Sequence, residues 1–267
     1  MDGLLRVLTP VLVLLVALLN TGCGTTGVRP DLEDSTGQMG QIKRPGTGAG
    51  DIYVKLAVEY FRQNNLESAL LNAKKAIDVE PRSAEGHNVL ALVYSRLGEA
   101  GLAEQYFVSG IAIEPRNSYL HNAYGTLLCG QKRYDEADRE FNVALENPLY
   151  TTPALTLSNA GHCAKESGDL DGAERYLRRA LEIDPRLPTA LFWMADISFL
   201  NGNFLSARAY LQRYQTVAKH SAASLWLGIR TERELGDKDQ MASYSLLLRN
   251  NFPDSLETKL LQESEQE

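Results

Sequence analysis

Much of what a catalytic or nucleic-acid-binding chain carries is missing here. The 267 residues hold four histidines and three cysteines, and no Ser or Cys nucleophile stands at a motif spacing from a His. No glycine-rich phosphate loop is present. His87 and His121 occupy one phase of the repeat set out below, and structural filling is the role that phase gives them. His162 falls within a helix and His220 in a junction, while Trp193 and Trp226 read as packing residues. Acidic pairs such as Asp135-Glu136 suit the solvated start of a helix, where carboxylates complement the dipole. The reading is of a non-enzyme with no catalytic residues, no metal, no cofactor and no small-molecule substrate. A basic surplus is missing too. With 27 Lys and Arg against 34 Asp and Glu, the net charge is −7, which argues against nucleic acid. The apolar stretch at the N-terminus, Val7 to Leu19, is interrupted by Thr9 and Pro10 and is too short to span a hydrocarbon core of ~30 Å.

What the sequence does have is a period. Small residues recur at Ala57, Ala91, Gly125, Gly161 and Ala195, in steps of 34, 34, 36 and 34. A second series at Ala69, Ala103, Ala137, Ala173 and Ala207 keeps the same steps, and a third runs through Ala76, Gly110, Ala144 and Ala180. Two antiparallel helices approach closely only where neither carries a large side chain at the crossing. Phase-locked small residues therefore indicate one helix–turn–helix unit copied along the chain. Leu56 with Tyr60, Leu90 with Tyr94, and Phe107 and Phe141 are the expected larger core residues. Pro81, Pro115, Pro185 and Pro253 close units, and Gly98, Gly168, Gly202 and Gly236 mark the turn inside them. This is the tetratricopeptide pattern: an all-α, right-handed superhelical solenoid. Its six units run 50–83, 84–117, 118–153, 154–187, 188–221 and 222–255, followed by a C-terminal tail over 256–267. The sixth is degenerate, with Met241 and Leu248 at positions expected to be small, which suits a terminal unit with no neighbour on its outer side.

Such a superhelix offers a concave groove lined by the first helix of each unit. Positions 2, 5, 9, 12 and 13 of a repeat generally face it. In the first unit these are Asp51, Val54, Val58, Phe61 and Arg62; in the second, Glu85, Asn88, Leu92, Ser95 and Arg96. In the fifth they are Thr189, Phe192, Asp196, Phe199 and Leu200. The first and fifth sets are unusually apolar for a solvated groove. Val54, Val58, Phe61, Arg62, Asn88, Leu92 and Arg96 are the candidate partner-binding residues, on the expectation that Val54, Val58 and Phe61 form an exposed patch for an amphipathic partner segment. The alternative is that the preceding tether or a neighbouring helix covers them.

At the N-terminus, Arg6 and the apolar stretch are followed by Asn20-Thr21-Gly22-Cys23. A Cys after small residues at the end of such a stretch resembles the bacterial lipobox, although Asn20 stands where that motif usually has Leu. The resemblance implies a lipoprotein signal peptide over 1–22 and acylation of Cys23, whose acyl chains, at ~0.8 kcal/mol per buried CH₂, would hold the protein on a membrane. The alternative is an ordinary signal peptide or an uncleaved anchor with an unmodified Cys. Gly24 after the Cys, rather than Asp, favours the outer membrane of a Gram-negative bacterium. Residues 23–49 are then a lipidated flexible tether, rich in Gly, Thr and Asp, with a reach of roughly 28 Å.

A closer resemblance rests on Asn122-Ala123-Tyr124-Gly125, the run from Gln131 to Ala137, Leu149-Tyr150-Thr151-Thr152-Pro153 and Met194-Ala195-Asp196. Leu227-Gly228-Ile229-Arg230, Ala242-Ser243-Tyr244 and Phe252-Pro253-Asp254-Ser255-Leu256 complete it. These stretches resemble the type IV pilus biogenesis lipoproteins of the PilF/PilW family, which act as secretin pilotins. The resemblance implies a lipid-anchored adaptor on the periplasmic face of the outer membrane, with the pilus secretin subunit and membrane lipid as partners. Other readings are a general periplasmic scaffold for outer-membrane assembly and a non-catalytic adaptor tethering a cell-wall hydrolase.

With Cys23 assigned to lipid, Cys129 and Cys163 remain as an even pair, which fits an oxidising periplasm. They fall at positions 12 and 10 of consecutive first helices. A bridge needs Cα atoms within about 4.4–6.8 Å, closer than helices usually pack, so it would require a local deformation. Two readings stand: a disulfide across the junction lengthened near Pro148, or two buried free thiols acting as small apolar side chains.

Overall fold

A computed structural model describes residues 48–265; Cys23, the leader over 1–22 and the tether up to residue 47 lie outside the described residues. Thirteen helices follow one another among the described residues: α1 Ala49–Arg62, α2 Leu66–Val79, α3 Ala84–Arg96, α4 Ala100–Ile113, α5 Ser118–Gly130, α6 Tyr134–Leu145 and α7 Pro153–Ser167. Then come α8 Leu170–Ile183, α9 Pro188–Leu200, α10 Phe204–Gln215, α11 Ala222–Leu235, α12 Lys238–Asn251 and α13 Leu256–Ser264. The first twelve pair into six antiparallel hairpins.

Helix starts are fixed by short polar side chains that accept from orphan backbone N–H groups. Asn65, Ser83, Asn117, Asp169, Ser221, Asp237 and Ser255 each cap a helix this way, and Pro153 and Pro188 stand at first-turn positions where no donor is lost. The turn inside each hairpin needs one residue with positive φ. Gly98, Gly168, Gly202 and Gly236 supply it in four units, and Asn64 (φ 57°) and Lys132 (φ 63°) hold the same phase in the other two.

The three small-residue series are the helix crossings. A Cβ at Gly125 would lie 2.9 Å from the Phe141 ring and 3.2 Å from the Ala137 carbonyl, so the first series meets the second within a hairpin. A Cβ at Gly110 would lie 3.3 Å from the Ala84 carbonyl of its own unit and 2.9 Å from Leu120 of the next, so the third series is wedged between the two. Beside these crossings Phe107, Phe141, Leu177 and Leu211 repeat one phase of the second helix and are all fully buried. Each is worth roughly 1.5–3 kcal/mol of burial. The core is thus a chain of clusters. One runs from Val54 to Cys163, and others continue through units four to six.

Every second helix packs on the first helix of the next unit. Consecutive first helices also touch one another, and no contact of comparable extent joins consecutive second helices among the described residues. The row of first helices is therefore the tighter, inner side of the solenoid.

Two expectations change at the ends. Leu56, expected in the core, is 40% exposed, whereas Leu90 at the same phase is fully buried. Leu90 has the preceding hairpin to pack against, and Leu56, with Ile52 beside it at 60%, has none among the described residues. At the other end the residues after 255 are not a tail. Helix α13 packs on α11 and α12, burying Leu261 against Leu225, Ile229, Tyr244 and Leu248. The degenerate sixth unit follows from this neighbour, because Leu248 fills the interface with α13 instead of making a close backbone crossing.

Candidate functional site

The row α1, α3, α5, α7, α9 and α11 presents three zones along the inner face. In the N-terminal zone the expected exposed patch does not exist. Val54, Val58 and Phe61 are 0%, 5% and 3% exposed and belong to the first cluster, together with Leu92. Their phase is correct for the inner side, but the close stacking of α1 on α3 turns those side chains between the helices. The Arg96 guanidinium lies 5.1 Å from the centre of the Phe61 ring and covers it. Arg62 is exposed, 4.0 Å from Glu59, and Asn88 is half-buried. The surface at this end is polar, laid over an apolar floor.

The middle zone is built on polar rungs between first helices. Asn159 Nδ2 donates to Asn122 Oδ1 at 3.1 Å, and Ser158 Oγ to Thr189 Oγ1 at 3.0 Å. Lys165 Nζ lies 2.8 Å from Asp196 and 3.3 Å from Glu166, and also 4.9 Å from the Trp193 ring centre. Burial alone would depress the Lys165 ammonium, but the Asp196 carboxylate outweighs it and holds the pKa above the ordinary lysine value. His162 stacks on Trp193 at 4.0 Å. A cavity of about 260 Å³ opens here, walled by Thr126, Cys129, Asn159, His162, Glu166 and Trp193. At its edge the structure joins Cys129 and Cys163 by a disulfide, with Cα atoms 5.7 Å apart. Helices α5 and α7 therefore come together near their C-terminal ends, whereas the seven-residue connection from Glu146 to Thr152 that holds the two extra residues docks on Tyr119 at the opposite end of α5.

The C-terminal zone is the most apolar part of the inner face. Phe192 and Phe199 are half-buried against Ala195, Leu211 and Leu227, and Leu200 is 49% exposed. Arg230, at the ninth position of the sixth unit, lies over the Phe199 ring at 4.1 Å.

Among the described residues no group of three His, Cys, Asp or Glu side chains is placed to hold a metal ion. One Ser–His contact exists, His220 Nδ1 with Ser224 Oγ at 3.1 Å, but Ser224 is fully buried and its hydroxyl completes the capping box of α11 with Ser221. Burial moves the His220 imidazole below its ordinary pKa. His87 and His121 each meet the carbonyl of the junction proline six residues back, Pro81 and Pro115, at 3.1 Å. They tie off the end of the preceding unit, and His121 also meets Glu140 at 2.6 Å.

Two charge networks, one on a buried carboxylate and one half-exposed, went unseen in the sequence. Arg208 of α10 forms a forked ion pair with Glu232 of α11, a carboxylate only 1% exposed, and reaches Asp237 at 3.4 Å. Arg133 bridges Glu104 and Glu136, each at 2.7 Å, with Tyr124 donating to Glu104 at 2.8 Å. The Tyr124 phenol is pushed up to about 12 by burial and by that carboxylate. Both pairs cross unit boundaries, so repeat phase alone carries no signal for them. Arg230 does sit at a groove phase and was legible on that ground.

Models of the tetratricopeptide repeat match residues 54–111 and 164–227. The type IV pilus assembly protein PilF of Pseudomonas aeruginosa is 31% identical over 246 residues, which covers 92% of this chain and 94% of that protein. The chain belongs to the PilF/PilW family of type IV pilus biogenesis proteins. The solved structure of P. aeruginosa PilF superposes with a TM-score of 0.71 at 31% identity, covering 81% of this chain and 97% of that one. PilW, described as a widely conserved type IV pilus biogenesis factor, gives a TM-score of 0.73 at 31% identity over 80% and 98%. A Haemophilus influenzae protein with no described role is 30% identical over 131 residues, 49% of this chain. PilF/PilW membership makes this a pilus-related repeat protein that works through protein partners, and its zones are those of a binding scaffold.

Proposed function

We propose that this PilF/PilW-family chain is an outer-membrane lipoprotein pilotin, which binds the type IV pilus secretin and promotes its localisation and assembly into a ring. The observation that carries the reading is the extent of the match to PilF. Its 246 residues exceed the 220 from Gly48 to the end of the chain, so the similarity continues into the segment that holds Cys23. A match over both the repeat scaffold and the region before it supports a protein of two parts, an address and a grip. Acyl chains on Cys23 would supply the address, and the inner groove the grip. The protein contributes no catalysis in this scheme. Its work is to hold one subunit at one membrane.

Because Val54, Val58, Phe61 and Leu92 are core residues, the grip at the N-terminal end passes to the exposed Arg62 and the half-buried Asn88 and Arg96. The test is a pull-down of the full chain from detergent-solubilised membranes, followed by mass spectrometry, with membrane fractionation of Cys23→Ser. The expected result is secretin in the wild-type eluate and loss of Cys23→Ser from outer membranes. Recovery of a cell-wall hydrolase or general outer-membrane assembly factors without secretin would overturn the pilotin reading. Flotation of Cys23→Ser with outer membranes after a high-salt wash would overturn the anchor.

A further inference from the structure

We infer that the C-terminal zone of the groove, where Arg230 lies over Phe199, is a docking subsite for a linear segment of a partner protein that presents a carboxylate beside an apolar side chain. This names the partner chemistry of the groove proposed above and rests on that groove being the partner face. The two ends of the inner face began alike, as apolar sets at the same repeat positions, and the fold treats them oppositely. In the first unit those side chains are sealed into the core. In the fifth, Phe192 and Phe199 keep part of their surface and Leu200 remains 49% exposed.

Charge decides what such a surface accepts. Lys165 is held by Asp196 and Glu166, Arg208 by Glu232, and Arg133 by Glu104 and Glu136. Arg230 lies over an aromatic ring and has no carboxylate within ion-pair distance among the described residues; Glu234, one turn further, stays out of range. The contact with Phe199 leaves the guanidinium donors without a carboxylate, and a guanidinium is the group that receives one bidentately. The surroundings support the same sign. The one acidic side chain of the fifth unit, Asp196, is already held by Lys165 and does not compete for Arg230. An apolar partner side chain beside the carboxylate would cover Phe199 and Leu200 and exclude water from the ion pair, strengthening it.

The test pans a random dodecapeptide display library on the full chain and follows one selected peptide, fluorescein-labelled, by anisotropy. The expected result is enrichment of Asp or Glu next to Leu, Ile or Phe, with binding that weakens as salt rises. Arg230→Gln is expected to weaken it about tenfold, the size of a lost charge-assisted pair, and Arg230→Lys by less. Phe199→Ala should lose both contacts; because it also touches the core, Arg230→Gln, at a half-exposed position, carries the test if that variant unfolds. No enrichment, enrichment of basic sequences, or unchanged binding to a folded Arg230→Gln would overturn the inference. Secretin recovered in the pull-down with no acidic preference in panning would sink this subsite alone. The reverse pair of results would sink the pilotin reading and leave the subsite standing.

Discussion

Adding one methyl group at Gly161 tests the crossing argument most directly. Its Cβ would lie 2.6 Å from Leu177 Cγ, 3.0 Å from Cδ2 and 3.2 Å from the Ala173 carbonyl oxygen. Neither the carbonyl nor the branched Cγ of a fully buried leucine can step aside cheaply, and overpacking of this kind costs about 1–3 kcal/mol. Alanine returns up to about 1 kcal/mol over glycine in a helix, so Gly161→Ala should destabilise the protein by about 1–2 kcal/mol. That is a fall in Tm of about 2–4 °C per kcal/mol for a domain of this size. Gly101→Ala is the matched control. It lies on the exposed side of α4 with no atom within 4 Å of the added carbon, and it should stabilise by up to about 1 kcal/mol. Ala195 already carries the same methyl opposite Leu211, so the effect belongs to the crossings that hold glycine, such as Gly125 and Gly161, and not to every repeat. Urea titrations of the three proteins decide it. A Gly161→Ala protein as stable as wild type would refute the view that these glycines exist for close approach.

Arg208→Ala strands the buried Glu232 carboxylate and is expected to cost about 3 kcal/mol, more than Glu232→Gln, which leaves Arg208 with Asp237; equal urea midpoints would contradict this. Burial alone would lower the His121 pKa, but the Glu140 hydrogen bond and the Pro115 carbonyl raise it. The pair's stability is therefore fully present below about pH 6.5, the unfolded value, and is lost as pH rises through the folded one. Wild type should lose stability on the alkaline side relative to His121→Gln, and parallel pH profiles for the two would oppose that. Reducing the Cys129–Cys163 bridge, which closes a 34-residue span, should cost up to about 3–4 kcal/mol. Two reactive thiols in unreduced, denatured Cys23→Ser protein would argue against the bridge.

The sequence by itself determined the period, the hairpin and the six units. Each depends on constraints closed within one copy: a crossing that admits only small side chains, a turn that needs positive φ, a cap before each helix. Asn64 and Lys132 at that turn were missed because neither residue announces positive φ as glycine does. The phase of Val54, Val58 and Phe61 was legible as well, and it put them in an exposed groove, where the structure buries them instead. What only the tertiary structure decided is what lies against each face. Helical periodicity says which residues share a stripe, and it says nothing about how near the next helix stands. So Val58 is sealed while Phe199, at an equivalent surface, stays half-open, and Leu56 is bare where Leu90 is covered. Helix α13 closes an end that read as a tail. Arg208 met Glu232, and Arg230 met Phe199, across unit boundaries whose geometry depends on how hairpins stack, a quantity no single repeat encodes.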